Sequence, residues 1–290
     1  KLLISSIEHE SVLNPAKLYD FGLIPVDKQG VLQLKSLEKL LDDEVVLISV
    51  ILASNELGTV QPIRRIAELI KQIRKARRSK GVKTPLYLHT DACQAPCYLD
   101  VHANRLGVDL MTLNGGKIYG PKQSGILFVK AGTRLVPQIL GGGQQRNLRS
   151  GTENPASLIA FAEALKTATQ KRKDDAAGVE TLRTMFIKGL TNLKPGAVIN
   201  GHPKKRLPHI VSVTFPGADN ERLLFQLDEK GILAASGSAC SASSKEPSHV
   251  LKAVGLSDNE ARSTLRFSFG RRTTEMDIEY LLKTLQSLTT

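Results

Sequence analysis

Apolar positions in the first half of the chain fall in short blocks separated by amphipathic stretches. Residues 45–52 are apolar except for Ser49, the pattern of a strand buried on both faces. Ile63, Ile66, Ala67, Ile70 and Ile73 then recur at helical spacing and mark one face of a helix. Residues 86–89, 108–113 and 125–129 repeat the strand pattern, and residues 1–5 read as a strand too. Strands alternating with helices predict an α/β fold with a mostly parallel sheet, whose ligands sit at the carboxyl ends of the strands.

Gly141-Gly142-Gly143 breaks this rhythm. A long helical region is expected over 155–193, interrupted near Gly178. After Asn200-Gly201-His202-Pro203 the character changes. Residues 209–215 alternate like a strand, a helix follows over 221–229, then an extended piece over 231–235 and a strand over 265–269. Thr274 with Asp277 reads as an N-cap opening a terminal amphipathic helix. The expected organisation is a large α/β domain over 1–155, a helical connection over 156–194, and a smaller α+β domain over 195–290.

Composition narrows the class. The chain has 290 residues, 41% hydrophobic and 23% charged, which excludes disorder, collagen and a disulfide scaffold. No apolar run reaches the ~18–20 residues of a membrane helix, so no membrane partner is expected. Three cysteines, Cys93, Cys97 and Cys240, point to a reducing compartment and hence the cytoplasm. The net charge is +12, concentrated in Arg74–Lys83, Lys171–Lys173 and Lys204–Arg206. These clusters read as solvated helix ends and loops, or as a docking face for an acidic protein or RNA. With 4% aromatic residues and no Trp, base-stacking platforms are not expected.

Four segments carry chemistry. Asp91 closes the strand containing His89-Thr90-Asp91. An aspartate there is either a solvated turn residue or the partner of a protonated ring nitrogen, which makes the ring an electron sink. Lys117 follows the next strand in Asn114-Gly115-Gly116-Lys117, as a surface-turn lysine or a Schiff-base lysine. Cys240 sits among small polar residues in Ser236–Ser244, a setting that suits an exposed nucleophilic thiol. Arg266 lies inside an apolar strand and needs a partner, for which a substrate carboxylate serves.

Taken with Glu8-His9, Asn55-Glu56-Leu57-Gly58, Lys117–Lys122 and Arg149-Ser150-Gly151-Thr152, these segments resemble the cysteine desulfurases of the NifS/IscS-like type. These are class-V aminotransferase-like enzymes that use pyridoxal 5'-phosphate. The resemblance spans the whole chain and places an amino-terminal segment of the family before Lys1. It implies a seven-stranded-type, mostly parallel sheet sandwiched by helices (fold type I) and a smaller C-terminal α+β domain. It also implies that Lys117 carries the cofactor and moves the substrate Cα proton. Asp91 would pair with the ring nitrogen, Gln94 would contact the phenolic oxygen, and His9 would stack on the ring. Asn114 and Thr152 would reach the phosphate, Thr152 that of a neighbouring subunit in a homodimer. Asn55 and Arg266 would hold the carboxylate of L-cysteine, and Cys240 would accept its sulfur as a persulfide. The product sulfur would go to an iron–sulfur scaffold, another acceptor protein or a tRNA-modifying relay.

The chain departs from the family at Asn114, usually Ser, and at Gly116, usually His, and both departures loosen the expected grip on the phosphate. Selenocysteine lyase, another class-V enzyme, and a catalytically weak sulfur-transfer partner are the alternatives. Cys93 and Cys97 lack matching ligands for a metal. His102, His202, His209 and His249 read as surface or core residues, and Tyr119 as a packing residue.

Overall fold

The computed structural model describes residues 1–237 and 246–288. Cys240 lies outside the described residues. Strands β1 (Leu2–Ser5), β2 (Phe21–Ile24), β3 (Leu47–Ser49), β4 (Tyr87–Asp91), β5 (Leu110–Asn114) and β6 (Gly125–Val129) form one sheet in the order β2-β1-β3-β4-β5-β6. The first five are parallel and β6 runs antiparallel to β5. The sheet has six strands among the described residues rather than the expected seven. The reversal at β6 follows from its connection: residues 115–124 are too few for a parallel crossover, which needs a dozen or more.

Helices α1 (Glu10–Ala16), α2 (Leu34–Leu40), α3 (Ile63–Ser79) and α4 (Ala103–Leu106) fill the connections. Ile63, Ile66 and Ile70 of α3 are buried in the core with Leu3, Ile48 and Leu88. Two of the arginines in the basic stretch of α3 turn inward. The Arg74 guanidinium pairs with the buried Asp109 carboxylate, which also accepts the Leu88 N–H at 2.9 Å. Arg77 is 3% exposed and donates to the carbonyls of Asp42, Thr84 and Pro85. These two arginines therefore fasten the helix.

Helix α5 (Pro155–Leu193) runs without a break. The expected interruption at Gly178 is absent: an isolated glycine weakens a helix by only ~1 kcal/mol, and packing on both sides outweighs it. Phe161 and Ala168 of α5 join the first core, while Val179, Leu182, Phe186 and Leu190 join a second. That second core backs an antiparallel sheet of β7 (Val198–Asn200), β8 (Ile210–Thr214) and β9 (Thr264–Ser268), in that order. Strand β8 alternates as its sequence suggests, yet every position is buried. Val211 and Val213 face the core, and Ser212 and Thr214 take hydrogen bonds from Asn200 Nδ2. Residues 231–235 form no strand; Ala235 makes a single bridge to Arg266.

Helices α6 (Asn220–Asp228), α7 (His249–Ala253), α8 (Asp258–Arg262) and α9 (Glu275–Leu288) complete the described chain. Thr274 and Asp277 exchange backbone and side-chain hydrogen bonds at the start of α9. Val250, Leu251, Val254 and Ala261 pack into the first core, so residues 249–261 return to the large sheet from within 195–290.

Candidate active site

Parallel neighbours β4 and β5 end on the same edge of the sheet. Asp91 is the last residue of β4 and is 7% exposed. Its Oδ1 accepts the Cys93 N–H at 2.9 Å, and among the described residues no cation lies within ion-pairing distance. A buried carboxylate without a counter-charge is costly, so this one calls for a cationic partner from outside the chain. Strand β5 runs into a 3-10 turn, Gly115–Lys117, which places Lys117 beside the same opening. The charges of Asp91 and Lys117 both act on the Cys93 thiol. Lys117 is exposed, so the desolvation expected of a nucleophilic lysine is not provided by this chain alone. Asn114 Oδ1 accepts the Gly116 N–H at 2.9 Å, which closes the turn and leaves the Asn114 amide nitrogen to meet an anion.

Gln94 is held by a residue that reads from sequence as bland. His209 Nε2 lies 3.3 Å from Gln94 Oε1, and the imidazole stacks on Tyr98 at 4.3 Å. Burial, with Arg266 nearby, pushes the His209 pKa down to about 3. The ring is therefore neutral, and as donor it orients the Gln94 NH₂ away from itself. His9 caps α1: its Nδ1 accepts the Ser11 N–H at 3.2 Å, which puts the imidazole proton on Nε2.

The substrate-side residues meet directly. Arg266 Nη1 donates to the Asn55 carbonyl at 2.9 Å. Asn55 is 9% exposed and its Oδ1 is buried without a hydrogen bond among the described residues. Its neighbour Glu56 is buried, and burial holds its pKa above the usual carboxylate range against the pull of Ser248, His249, Arg266 and His9. Ser248 Oγ donates to Glu56 Oε2 at 2.6 Å. A Cβ on Gly237 would lie 2.9 Å from the same oxygen. The two flanks of residues 238–245 thus meet at one carboxyl group.

Thr152 is exposed ahead of α5 and bonds none of the other site residues among the described residues. Tyr119 is more than half exposed rather than packed inside; its hydroxyl accepts the Arg271 N–H, and the Arg271 guanidinium lies 4.6 Å from its ring. Of the cysteines, burial and then Asp91 drive the Cys93 thiol far above its ordinary range, and burial raises Cys97 to about 11. Neither is a thiolate near neutral pH.

Sequence reading placed Glu8 in the Glu8-His9 motif but gave it no role. It is fully buried, with Oε1 accepting the Ile51 N–H and its own carbonyl 2.9 Å from His249 Nε2. A charged residue directly after the apolar Ile7 was the available signal.

The aminotransferase class-V family pattern matches residues 1–281. Cysteine desulfurase IscS 1 of Archaeoglobus fulgidus is 40% identical over 289 residues, 98% of this chain and 72% of that protein. Cysteine desulfurase IscS of Clostridium botulinum strain Hall is 35% identical, covering 99% of this chain and 71% of that one. Among solved structures, a NifS-like protein superposes with a TM-score of 0.88 at 31% identity, covering 100% of this chain and 75% of the other.

Proposed function

This chain belongs to the aminotransferase class-V family, and from that premise we propose that it is a pyridoxal-phosphate-dependent cysteine desulfurase. It would convert L-cysteine and the Cys240 thiol into L-alanine and a Cys240 persulfide. The observation that carries the reading is the Asp91 carboxylate, buried without an ion-pairing cation among the described residues, at the end of β4 beside the Lys117 turn. A protonated pyridine nitrogen supplies the missing charge. Bound there, the cofactor provides an electron sink for the pair left when the substrate Cα proton departs.

The chain's own residues do the rest. Asp91 would hold the ring nitrogen in its charged form, and Gln94, oriented by His209, would offer its NH₂ to the phenolic oxygen. Lys117 would attach the cofactor and take the Cα proton. Arg266 lies against Asn55 and grips the substrate carboxylate, while Asn55 offers its side-chain amide. His9, with its Nδ1 occupied by the Ser11 N–H, would lie against the ring with Nε2–H available for proton transfer. Cys240 attacks the substrate sulfur: a new S–S bond forms, the C–S bond breaks, and the carbon skeleton leaves as alanine after protonation.

Val136, Ile139, Leu140 and Ile159 are exposed on the segments flanking Thr152. Their apolar surface supports a homodimer in which Thr152 reaches the partner's phosphate. No described helix is long and apolar enough to cross a membrane, and the reactive-thiol chemistry suits the cytoplasm, with a sulfur-acceptor protein such as an iron–sulfur scaffold as the partner. Alanine release from L-cysteine by the cofactor-loaded protein tests the reading. Loss of that activity in Lys117→Ala supports it; retention overturns the lysine's role.

A further inference from the structure

Four polar side chains cross four neighbouring strands directly behind Asp91. Glu8, just past β1, lies 3.5 Å through Oε2 from Ser49 Oγ at the end of β3. Ser49 Oγ lies 2.8 Å from His89 Nδ1 on β4, and His89 Nε2 lies 2.9 Å from Thr112 Oγ1 on β5. The register places Ser49 opposite His89 and Thr112 opposite Asp91. His89 and Asp91 are two residues apart on β4, so they share one face of the sheet. The intervening Leu88, Thr90 and Met111 are buried on the other face.

We propose that Glu8, Ser49, His89 and Thr112 form a hydrogen-bonded row that positions Asp91 and His9 for the cofactor ring, with Glu8 as the positioning residue whose proton sets the direction of every bond in the row. The inference rests on the function proposed above and deepens it. If Glu8 is a neutral acid, its O–H donates to Ser49, Ser49 donates to His89 Nδ1, and His89 Nε2–H donates to Thr112. If Glu8 is ionised, every donor reverses and the imidazole proton moves to Nδ1. Glu8 also fixes His9, which follows it in the chain, through the contact between its own carbonyl and His249.

The surroundings favour the neutral form. Burial, then the charge of Asp91, raises the Glu8 pKa to about 8 against the pull of the Ile51 N–H and Ser49. The titratable groups facing it are Asp91 and His89 from β4 and His249 from α7, with His9 adjacent. Burial lowers the His89 pKa despite Asp91, which favours the neutral imidazole, whose single proton reports the direction of the row.

The test is nitrogen-15 NMR of histidine-labelled protein from pH 6 to 9. In the wild type the His89 proton should move from Nε2 to Nδ1 with a midpoint near 8, the Glu8 value. Glu8→Gln should hold it on Nε2 throughout, and Ser49→Ala should remove the midpoint with Glu8 intact. Alongside, the affinity of the apoprotein for pyridoxal phosphate should fall severalfold from pH 7 to 9 in the wild type but not in Glu8→Gln. A wild-type His89 signal that never switches, or a switch that persists in Glu8→Gln, overturns the proposal. The NMR signal needs no cofactor. A row that switches in a chain unable to take up pyridoxal phosphate would therefore support the row and overturn the function proposed above.

Discussion

Glu8 makes a thermodynamic prediction whose size follows from its burial. The ordinary glutamate value is 4.5, and the folded protein raises it to about 8. Between those values the folded chain keeps a proton that the unfolded chain releases, so unfolding is favoured as pH rises through this window. The contribution is absent below about pH 4.5 and levels off above about pH 8. Each pH unit inside the window is worth about 1.4 kcal/mol. Glu8→Gln keeps the shape and removes the titration. Its stability relative to wild type should therefore climb by about 3 kcal/mol from pH 5 to pH 7. The amide's additional N–H shifts the difference by a constant and leaves the slope alone. Urea unfolding of both proteins at pH 5, 6, 7 and 8 measures the trend directly. A difference constant to within ~0.5 kcal/mol across that range would refute a buried, protonated Glu8.

Three further predictions concern other parts of the molecule. Arg77→Glu removes the donor to three carbonyls and buries a new carboxylate, costing about 3–5 kcal/mol in urea unfolding. The exposed Arg78→Glu should cost no more than ~0.5 kcal/mol, and equal effects would show that Arg77 is not a fastening residue. Gly116→His restores the family's usual residue where an added Cβ lies 3.3 Å from Asn114 Oδ1 and in ordinary contact with Lys122. One charge-assisted hydrogen bond of about 1.5–3 kcal/mol should tighten pyridoxal phosphate binding roughly tenfold or more, and an unchanged Kd would count against a phosphate at this turn. Gly237→Ala forces a side chain onto a backbone with φ +61 and to 2.9 Å from Glu56 Oε2. It should lower stability by about 1–3 kcal/mol, checked by thermal melting; no change in Tm would mean that Gly237 and Glu56 are not in close contact.

Much of the architecture was legible because periodicity is a local signal. The α3 stripe of Ile63, Ile66 and Ile70 and the apolar block at β3 announced their elements, and β6 was expected over the residues it occupies. Its reversed direction was not, because strand direction is a property of the connection. Gly178 misled for a related reason: propensity is weak, and the two cores that α5 bridges are invisible in a local window. The candidate residues were read as motifs, and the structure brings Arg266 onto Asn55 and Asp91 beside the Lys117 turn. What stayed hidden is what supports them. The His209–Gln94 contact joins residues 115 positions apart, and the Glu8–Ser49–His89–Thr112 row depends on strand order and register, which no motif encodes. The basic stretch was only half legible, since composition cannot distinguish Arg77, folded inward, from Arg78, exposed beside it.

Sulfur transfer from L-cysteine to Cys240 is open to intact-protein mass spectrometry with peptide mapping. After the cofactor-loaded protein meets one equivalent of L-cysteine without reductant, the peptide carrying Cys240 should gain one sulfur atom, matched by alanine in solution. Cys240→Ser should take up no sulfur. Sulfur on Cys93 or Cys97 instead, or alanine formed equally well by Cys240→Ser, would contradict it.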